Sequence, residues 1–210
     1  CKEGCCYLVL YAESIMERIH FFETPFVFDT NEDIVQGLKE HILNNEPNRD
    51  TLISNGIKHN LKESSFDFFN SDDIAVTTAV DYFTECLKQT VNQQLQENCN
   101  YEIEFVDSWF HIGDKYSTHE VHKHPNCSWC GVFYVDPGDL NKGGNTMFMN
   151  PIVINFKDIS NNYIDSSLEI VAEKGKLVLF PSYLQHYQTL YTGDEKRIVI
   201  GFNMKILDRV

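Results

Sequence analysis

The sequence predicts an α+β protein that is mainly β, in which helices near the N-terminus pack on a closed or double-sheet β architecture. From residue 101 onward, about eight short segments of extended character are separated by turns that contain Gly or Pro, the pattern typical of a sandwich or barrel. Before residue 100, two segments instead repeat apolar residues at helical spacing. We therefore expect the β part to form the centre of one compact domain.

The chain of 210 residues is long enough for a single domain with a substantial hydrophobic core. We divide it into a short tail over residues 1–6, an N-terminal extension of helices and an edge strand over 7–100, and a β core over 101–206. The second boundary is placed where the apolar period changes from that of a helix to that of a strand.

The extension is expected to contain an edge strand, two helices and an irregular loop. Residues 19–28 are rich in aromatic and β-branched side chains but include Pro25, which favours a strand at the edge of a sheet. A first helix is predicted over 33–43, and the polar residues 46–70 are predicted to form a surface loop. A longer helix follows Ser71, with one apolar face formed by Val76, Val80, Phe83, Leu87, Val91 and Leu95.

The predicted strands of the core are short and follow one another closely. They cover residues 101–112, 116–124, 129–135, 146–148, 168–172, 176–180, 186–191 and 197–205. A single barrel or two-layered β unit accounts for all of them.

The formal net charge of −14 indicates an acidic surface, which argues against nucleic acid or an anionic membrane as the partner. No apolar run is long enough to span a membrane, and no signal segment is recognisable. The seven cysteines are an odd number, so we expect reduced thiols and a cytoplasmic protein. Cys127 and Cys130 are spaced like a redox pair, but they enter an apolar segment, which favours a packing role.

Three of the eight histidines lie within six positions, starting at His119. His122 and His124 are two residues apart, so on a strand both imidazoles project from one face and can bind one metal ion. His186 follows an apolar strand framed by Gly and Pro and is the best candidate for a third ligand. Glu120 lies on the same predicted face, so pairing with His122 is an alternative. We favour the two histidines because they lie nearer to the next strand.

Arg197 is one of four arginines, and of these it alone lies inside an apolar strand pattern. A guanidinium that faces a pocket binds a carboxylate through two parallel hydrogen bonds. Tyr134 could donate its hydroxyl to the same carboxylate, and Gly201 would leave room on the same face as the arginine. A same-face histidine pair, a distant histidine and a later arginine are the layout of a non-haem iron site with a carboxylate co-substrate.

Each of these residues also has an ordinary structural interpretation. A single histidine on a strand is usually a hydrogen-bonded structural residue, Arg197 could form a surface ion pair, and Tyr134 could be a packed strand aromatic. We expect His119 to be out of phase with His122 and therefore at the surface or behind the ligands. The remaining four histidines show no pattern that indicates a function.

Five segments of the chain form a combination that is more specific than any one of them. They are Asp107-Ser-Trp109, His122-Lys-His124-Pro125, Gly131-Val-Phe-Tyr-Val135, Phe180-Pro-Ser-Tyr-Leu-Gln-His186 and the strand from Arg197 to Asn203. Together they resemble the 2-oxoglutarate- and Fe(II)-dependent oxygenases, and within that superfamily the group found in marine bacteria and phages. The resemblance extends from about Phe21 to Lys205 and is weakest over the first hundred residues.

The resemblance implies a double-stranded β-helix, which is a jelly-roll or cupin-like barrel, with Fe(II) and 2-oxoglutarate as cofactors. It implies hydroxylation of a small-molecule or peptide substrate, with release of succinate and carbon dioxide. By position, His122, His124 and His186 correspond to the metal ligands. Arg197 and Tyr134 correspond to the residues that bind the tail carboxylate of 2-oxoglutarate. His124 stands where the superfamily usually has Asp or Glu, so the identity of one ligand departs from the pattern.

Two other functions fit parts of the pattern. A three-histidine cupin-type dioxygenase, such as a thiol dioxygenase, would use the same histidines without 2-oxoglutarate, but it gives Arg197 no general role. A non-enzymatic β module would keep the histidines as core residues. The barrel itself does not discriminate between these, since such folds carry many functions.

Overall fold

The computed structural model describes residues 24–47, 53–54, 57–94, 100–151 and 166–208. The predicted tail 1–6 and the first part of the predicted edge strand lie outside this description. The helices are α1 (Val35–Asn44) and α2 (Ile74–Gln94), with a single 3₁₀ turn at Phe68–Asn70. The strands are β1 (Val27–Thr30), β2 (Ile53–Ser54), β3 (Ile57–Lys58), β4 (Leu61–Glu63), β5 (Tyr101–Gly113), β6 (His119–His122), β7 (Trp129–Asp136), β8 (Thr146–Met149), β9 (Ser167–Ile170), β10 (Lys176–Pro181), β11 (His186–Gln188) and β12 (Arg197–Asp208).

The strands form two larger antiparallel sheets and one small hairpin. The large sheet has the order β1-β10-β7-β12-β5-β4, and the smaller sheet has the order β6-β11-β8-β9. β2 and β3 pair only with each other. Neighbours in both larger sheets are rarely consecutive in sequence, so the chain crosses repeatedly between the two sheets, as in a jelly roll.

The large sheet separates two hydrophobic cores. On one face, apolar side chains of β5, β7, β10 and β12 pack against both helices, with Phe83 of α2 stacked on Phe202 of β12 at 4.7 Å between ring centroids. On the other face, the large sheet packs against the small one: Tyr134 and Val178 from the former meet Phe148 and Ile170 from the latter. The second core is therefore the interior of the barrel.

β12 shows how the sequence produces this division. Ile198, Ile200 and Phe202 belong to the core on the helix side, whereas Val199 belongs to the barrel interior. Successive side chains of a strand point to opposite faces, so both faces of a central strand are buried and the whole segment is apolar. Arg197 lies on the interior face of this strand and is buried.

Most predicted elements are confirmed, including all eight strands of the core and both helices. The edge strand is β1, which begins after Pro25 and pairs with β10 at the end of the large sheet. The irregular loop predicted over 46–70 is wrong in part, because β4 within it pairs with β5. A strand of three residues is too short to show a period in the sequence, and its pairing depends on a partner distant along the chain.

Two β-bulges interrupt the regular pairing near one end of the barrel. His122 lies opposite His186, but His119 lies opposite Gln188, so β6 has two residues where β11 has one. A second register shift in β12 follows Asn203, which pairs with Asp107 of β5. Both bulges change which side chains face the interior at this end.

In the described residues, neither helix is sufficiently long and apolar to cross a membrane.

Candidate active site

Three histidine side chains converge inside the barrel. One ligand-capable atom each from His122, His124 and His186 lies within 4.8 Å of the other two. Among the described residues, this is the one group of His, Cys, Asp or Glu side chains with such geometry. Small side-chain movements suffice to bring three nitrogens to the roughly 2.1 Å at which imidazole binds a divalent transition metal.

Strand pairing and one aromatic contact bring these histidines together. His186 begins β11 directly opposite His122 at the end of β6, and their ring centroids are 4.3 Å apart. His124 lies just beyond β6, with its ring 5.5 Å from that of Trp109 on β5. The backbone ladder thus positions two of the imidazoles, and a buried indole supports the third.

The backbone also fixes the tautomer of two imidazoles. His122 Nδ1 lies 2.7 Å from the carbonyl oxygen of Glu120, and His186 Nδ1 lies 3.1 Å from that of Leu184. A carbonyl oxygen can only accept, so Nδ1 carries the proton in both rings and Nε2 keeps its lone pair. Hydrogen bonds of this kind orient histidine ligands toward a metal ion.

Burial keeps the three imidazoles uncharged. Desolvation lowers the pKa of His122, and it lowers the pKa of His124 to about 4 and that of His186 to about 3. The neighbouring histidines act in the same direction as burial on all three sites. Since a metal ion binds the neutral imidazole, protons compete weakly for this site at neutral pH.

Glu120, the alternative ligand, is not a member of the three-residue group. Its contribution to the site is the backbone carbonyl that accepts from His122. The donor set that the geometry brings together therefore consists of three imidazoles and no carboxylate.

Arg197 lies in the same cavity as the histidines and is 3% exposed. Its Nη1 donates to Gln188 Oε1 at 2.8 Å, while its buried Nε has no hydrogen-bond partner in the described part of the chain. Burial lowers the pKa of this guanidinium to about 10, so it is charged at neutral pH. No described carboxylate pairs with it, and a buried cation without a counter-charge is costly. A bound anion would complete this end of the cavity.

Tyr134 supports the arginine from behind. The guanidinium carbon of Arg197 lies 5.5 Å from the centre of the tyrosine ring, and the tyrosine hydroxyl is 2.5 Å from Thr146 Oγ1. Thr146 and Gln188 line the cavity, whereas Tyr134 is not among its lining residues. Neither Thr146 nor Gln188 stands out in the sequence, because β8 and β11 are too short to show which of their side chains point inward.

Two glycines allow the close packing around the arginine and the histidines. Gly144 has a φ of +76°, and a Cβ there would lie 2.9 Å from Cδ and Nε of Arg197. Gly201 pairs with Trp109, and a Cβ there would lie 2.7 Å from the indole ring. The room that we predicted at Gly201 is thus filled by Trp109, which in turn contacts His124.

Three further histidines extend the cluster. The ring of His119 lies 4.3 Å from that of His122, 5.3 Å from that of His111 and 6.0 Å from that of His59. The bulge in β6 places His119 in the interior, so it is not at the surface. Burial, aided by the neighbouring imidazoles, lowers the pKa of His119 to about 2. His59 and His111 showed no functional pattern in the sequence, because separate segments carry them and only the fold unites them.

The barrel interior thus places a buried group of neutral imidazoles beside an unpaired guanidinium, an arrangement suited to a metal ion and an anionic ligand. Residues 107–203 match the model of a family described as "Putative 2OG-Fe(II) oxygenase". This segment contains the three histidines, the arginine and the strands that carry them. This segment, slightly less than half of the chain, is therefore similar to the 2-oxoglutarate- and Fe(II)-dependent oxygenases.

Solved structures with the same fold include several such oxygenases. A prolyl-4-hydroxylase from Pseudomonas putida aligns with a TM-score of 0.58 at 14% identity, over 88% of this chain and 93% of that chain. HygX from Streptomyces hygroscopicus, solved with nickel and 2-oxoglutarate, aligns with a TM-score of 0.58 at 12% identity, over 87% and 83%. The epimerase SnoN of nogalamycin biosynthesis aligns with a TM-score of 0.61 at 9% identity, over 87% and 76%. The predicted double-stranded β-helix is confirmed.

A search of curated proteins gave no match.

Proposed function

We propose that the chain is an Fe(II)- and 2-oxoglutarate-dependent oxygenase that hydroxylates an aliphatic C–H bond of a small-molecule or peptide substrate. In the overall reaction, one oxygen atom of O₂ enters the substrate and the other enters succinate, with carbon dioxide released from 2-oxoglutarate. The bound iron supplies this oxidation chemistry, while the protein binds, orients and shields the reactants.

His122, His124 and His186 are proposed to hold the iron. Their Nε2 or free ring nitrogens converge within 4.8 Å, and two of the rings are locked by backbone carbonyls. Three imidazoles leave further coordination positions open, as a catalytic ion requires. His124 replaces the usual carboxylate, so the protein itself contributes no negative charge to the ion.

Arg197 is the residue from which we infer that the co-substrate is 2-oxoglutarate. A buried guanidinium with a free Nε, no carboxylate partner in the described residues and a place in the histidine cavity suits the distal carboxylate of 2-oxoglutarate. Thr146 is placed to contribute a hydroxyl to the same carboxylate, since it lines the cavity and its Oγ1 is held by Tyr134. We therefore assign Tyr134 the role of positioning Thr146 and Arg197.

The three-histidine set by itself also suits a cupin-type dioxygenase that uses no 2-oxoglutarate. That function leaves the buried charge of Arg197 without a purpose, and the family match argues against it. The two functions differ in whether oxygen consumption requires 2-oxoglutarate.

The test is succinate formation by the purified protein in air with Fe(II) and 2-oxoglutarate. We expect succinate from the complete mixture and none when iron is left out. A matched reaction with Arg197→Leu, which removes the guanidinium and keeps an apolar side chain, should yield far less at low 2-oxoglutarate. Oxygen consumption that does not depend on 2-oxoglutarate would contradict the proposal and favour the cupin-type function.

A further inference from the structure

An open groove lies against the histidine cluster and is separate from the cavity that contains Arg197. It is bordered by β5, β12, the segment after β6 and the segment after β4. Trp109, His119, His122 and His124 line both the groove and the cavity, so these residues form a wall between them. A molecule in the groove would contact the proposed metal ligands from the side that does not hold the arginine.

The polar groups at the bottom of this groove are hydrogen-bond acceptors. Asp107 Oδ2 already accepts from Asn203 Nδ2 at 3.3 Å, and Asp107 Oδ1 has no partner among the described residues. Asn203 is 4% exposed, and its Oδ1 is buried without a donor in the described part of the chain. A buried acceptor without a donor is unfavourable, so this place is suited to a ligand that brings N–H groups.

A second carboxylate and two aromatic rings lie on the other side of the groove. Glu63 uses one oxygen to accept from His111 Nε2, at 2.7 Å. Phe66 is 52% exposed and lies 5.5 Å from Trp109 between ring centroids. None of the described lining residues is Lys or Arg. Negative charge, free acceptors and aromatic faces together favour an organic cation.

We propose that the groove binds the substrate through a cationic N–H group, an ammonium or guanidinium, placed between Asp107, Asn203 and the ring of Phe66. The carbon chain of this cation then extends along Trp109 toward His122 and His124, where its C–H bonds are oxidised. This inference rests on the proposed function for the reaction, but the binding of the cation depends only on the groove.

The bulge in the pairing of β5 and β12 gives the groove its position. Asn203 pairs with Asp107, and the next pair is Met204 with Phe105, so Val106 is the extra residue. A bulge re-aims the neighbouring side chains and is common beside active sites. Here the bulged residue Val106 lies next to Asp107 and three residues before Trp109, which lines both the groove and the histidine cavity.

The experiment is calorimetric titration under anaerobic conditions with protein loaded with Fe(II) and 2-oxoglutarate. The probes are 1,5-diaminopentane as a free amine, Nα-acetyl-lysine and Nα-acetyl-arginine methylamides as peptide-like cations, and 1,5-pentanediol as a neutral control. We expect saturable binding of at least one cation and none of the diol. The free amine and the blocked amino acids distinguish a small-molecule source of the cation from a peptide.

Asp107→Asn should weaken cation binding about 10- to 100-fold, the range of a charge-assisted hydrogen bond. Glu104→Gln is the matched control, because it removes the same charge from an exposed position of the same strand and should bind like wild type. Phe66→Ala changes an exposed side chain, so it tests the groove without threatening the fold, and it should also weaken binding. Absence of cation binding by wild type, or equal weakening in Asp107→Asn and Glu104→Gln, would overturn the inference.

The experiment distinguishes failure of the proposed oxygenase function from failure of the proposed cation site. Iron and 2-oxoglutarate binding is recorded in the same cell before the cation is added, and its absence would contradict the proposed function. The cation titration then still decides on the groove, because the groups proposed to hold the cation itself, Asp107, Asn203 and Phe66, are neither metal ligands nor Arg197.

Discussion

The two faces of the large sheet differ in what they bury. The face toward the helices is apolar and closely packed, with the ring of Phe83 in contact with those of both Phe133 and Phe202. The face toward the barrel interior buries a charged arginine and histidines, and some of its polar atoms lack partners in the described residues. The same strands supply both faces, so stability and chemistry are segregated by the alternation of side chains.

This difference identifies the interior face as the one that lowers the stability of the unliganded protein. Unpaired polar atoms at Arg197 and Asn203 are unfavourable in the isolated chain and become favourable when a ligand supplies their partners. The helix-side core contains no buried side-chain polar atom of that kind among the described residues. Substitutions on the helix-side face should therefore lower the free energy of unfolding, whereas substitutions on the interior face should mainly change ligand binding.

The largest effect is expected from Phe202→Ala on the helix-side face. Deletion of a fully buried ring leaves a cavity among Phe69, Phe83 and Phe105 and should lower the free energy of unfolding by about 3–5 kcal/mol. The matched change is Asn203→Leu, the next residue on the opposite face. It removes an unpaired acceptor together with one hydrogen bond to Asp107 and should lower that free energy by no more than about 1.5 kcal/mol. Urea denaturation measures the free energy of unfolding of both variants. Equal decreases would contradict the proposed contrast between the two faces.

The next effect is on iron binding. His124→Ala and His186→Ala should each weaken Fe(II) binding by more than about 100-fold, because loss of a direct ligand exceeds the 10- to 100-fold cost of losing an outer partner. Glu120→Gln should bind iron like wild type, since the Glu120 carboxylate is not one of the three converging groups and its backbone carbonyl, which accepts from His122, is unchanged. Anaerobic Fe(II) titration checks all three variants. Loss of iron in Glu120→Gln with normal binding by His124→Ala would overturn the ligand assignment.

A smaller effect is expected at the opposite end of the cavity. Arg197→Ala should reduce the affinity for 2-oxoglutarate by about 1.5–3 kcal/mol, the scale of a hydrogen bond to a charged group, and leave iron affinity nearly unchanged. Arg197→Lys keeps the charge but loses the forked geometry and should fall between wild type and the alanine variant. Titration of the iron-loaded proteins with 2-oxoglutarate measures this order, and identical affinities would argue against a carboxylate at Arg197.

The smallest effect concerns pH and the buried histidines of the metal-free protein. The pKa of His119 is lowered to about 2 and that of His186 to about 3 in the folded state, whereas in the unfolded chain both lie near 6.5. The unfolded chain thus binds more protons between these values, so stability should decline as pH falls below about 6.5. Thermal unfolding in a chelator between pH 7 and 5 records the decline. His119→Asn should make it shallower, and an unchanged slope would contradict the assigned burial of this imidazole.

The sequence by itself determined the fold class, the eight strands of the core and both helices. These elements are long or regular enough for their apolar period to be visible, and Gly and Pro mark the turns between them. The same alternation predicted that His122 and His124 lie together, although β6 ends at His122, and it marked Arg197 as an arginine inside a buried strand. Local periodicity carries this information because it depends only on neighbours along the chain.

Only the tertiary structure decided which distant groups meet at the site. The bulge in β6 brought His119 into the interior, and the pairing of β12 with β5 placed Trp109 over Gly201 and beside His124. Thr146 and Gln188, on strands of four and three residues, became lining residues of the cavity through the small sheet. Register shifts and the packing of short strands are set by contacts between segments far apart in sequence, so no period along the chain records them.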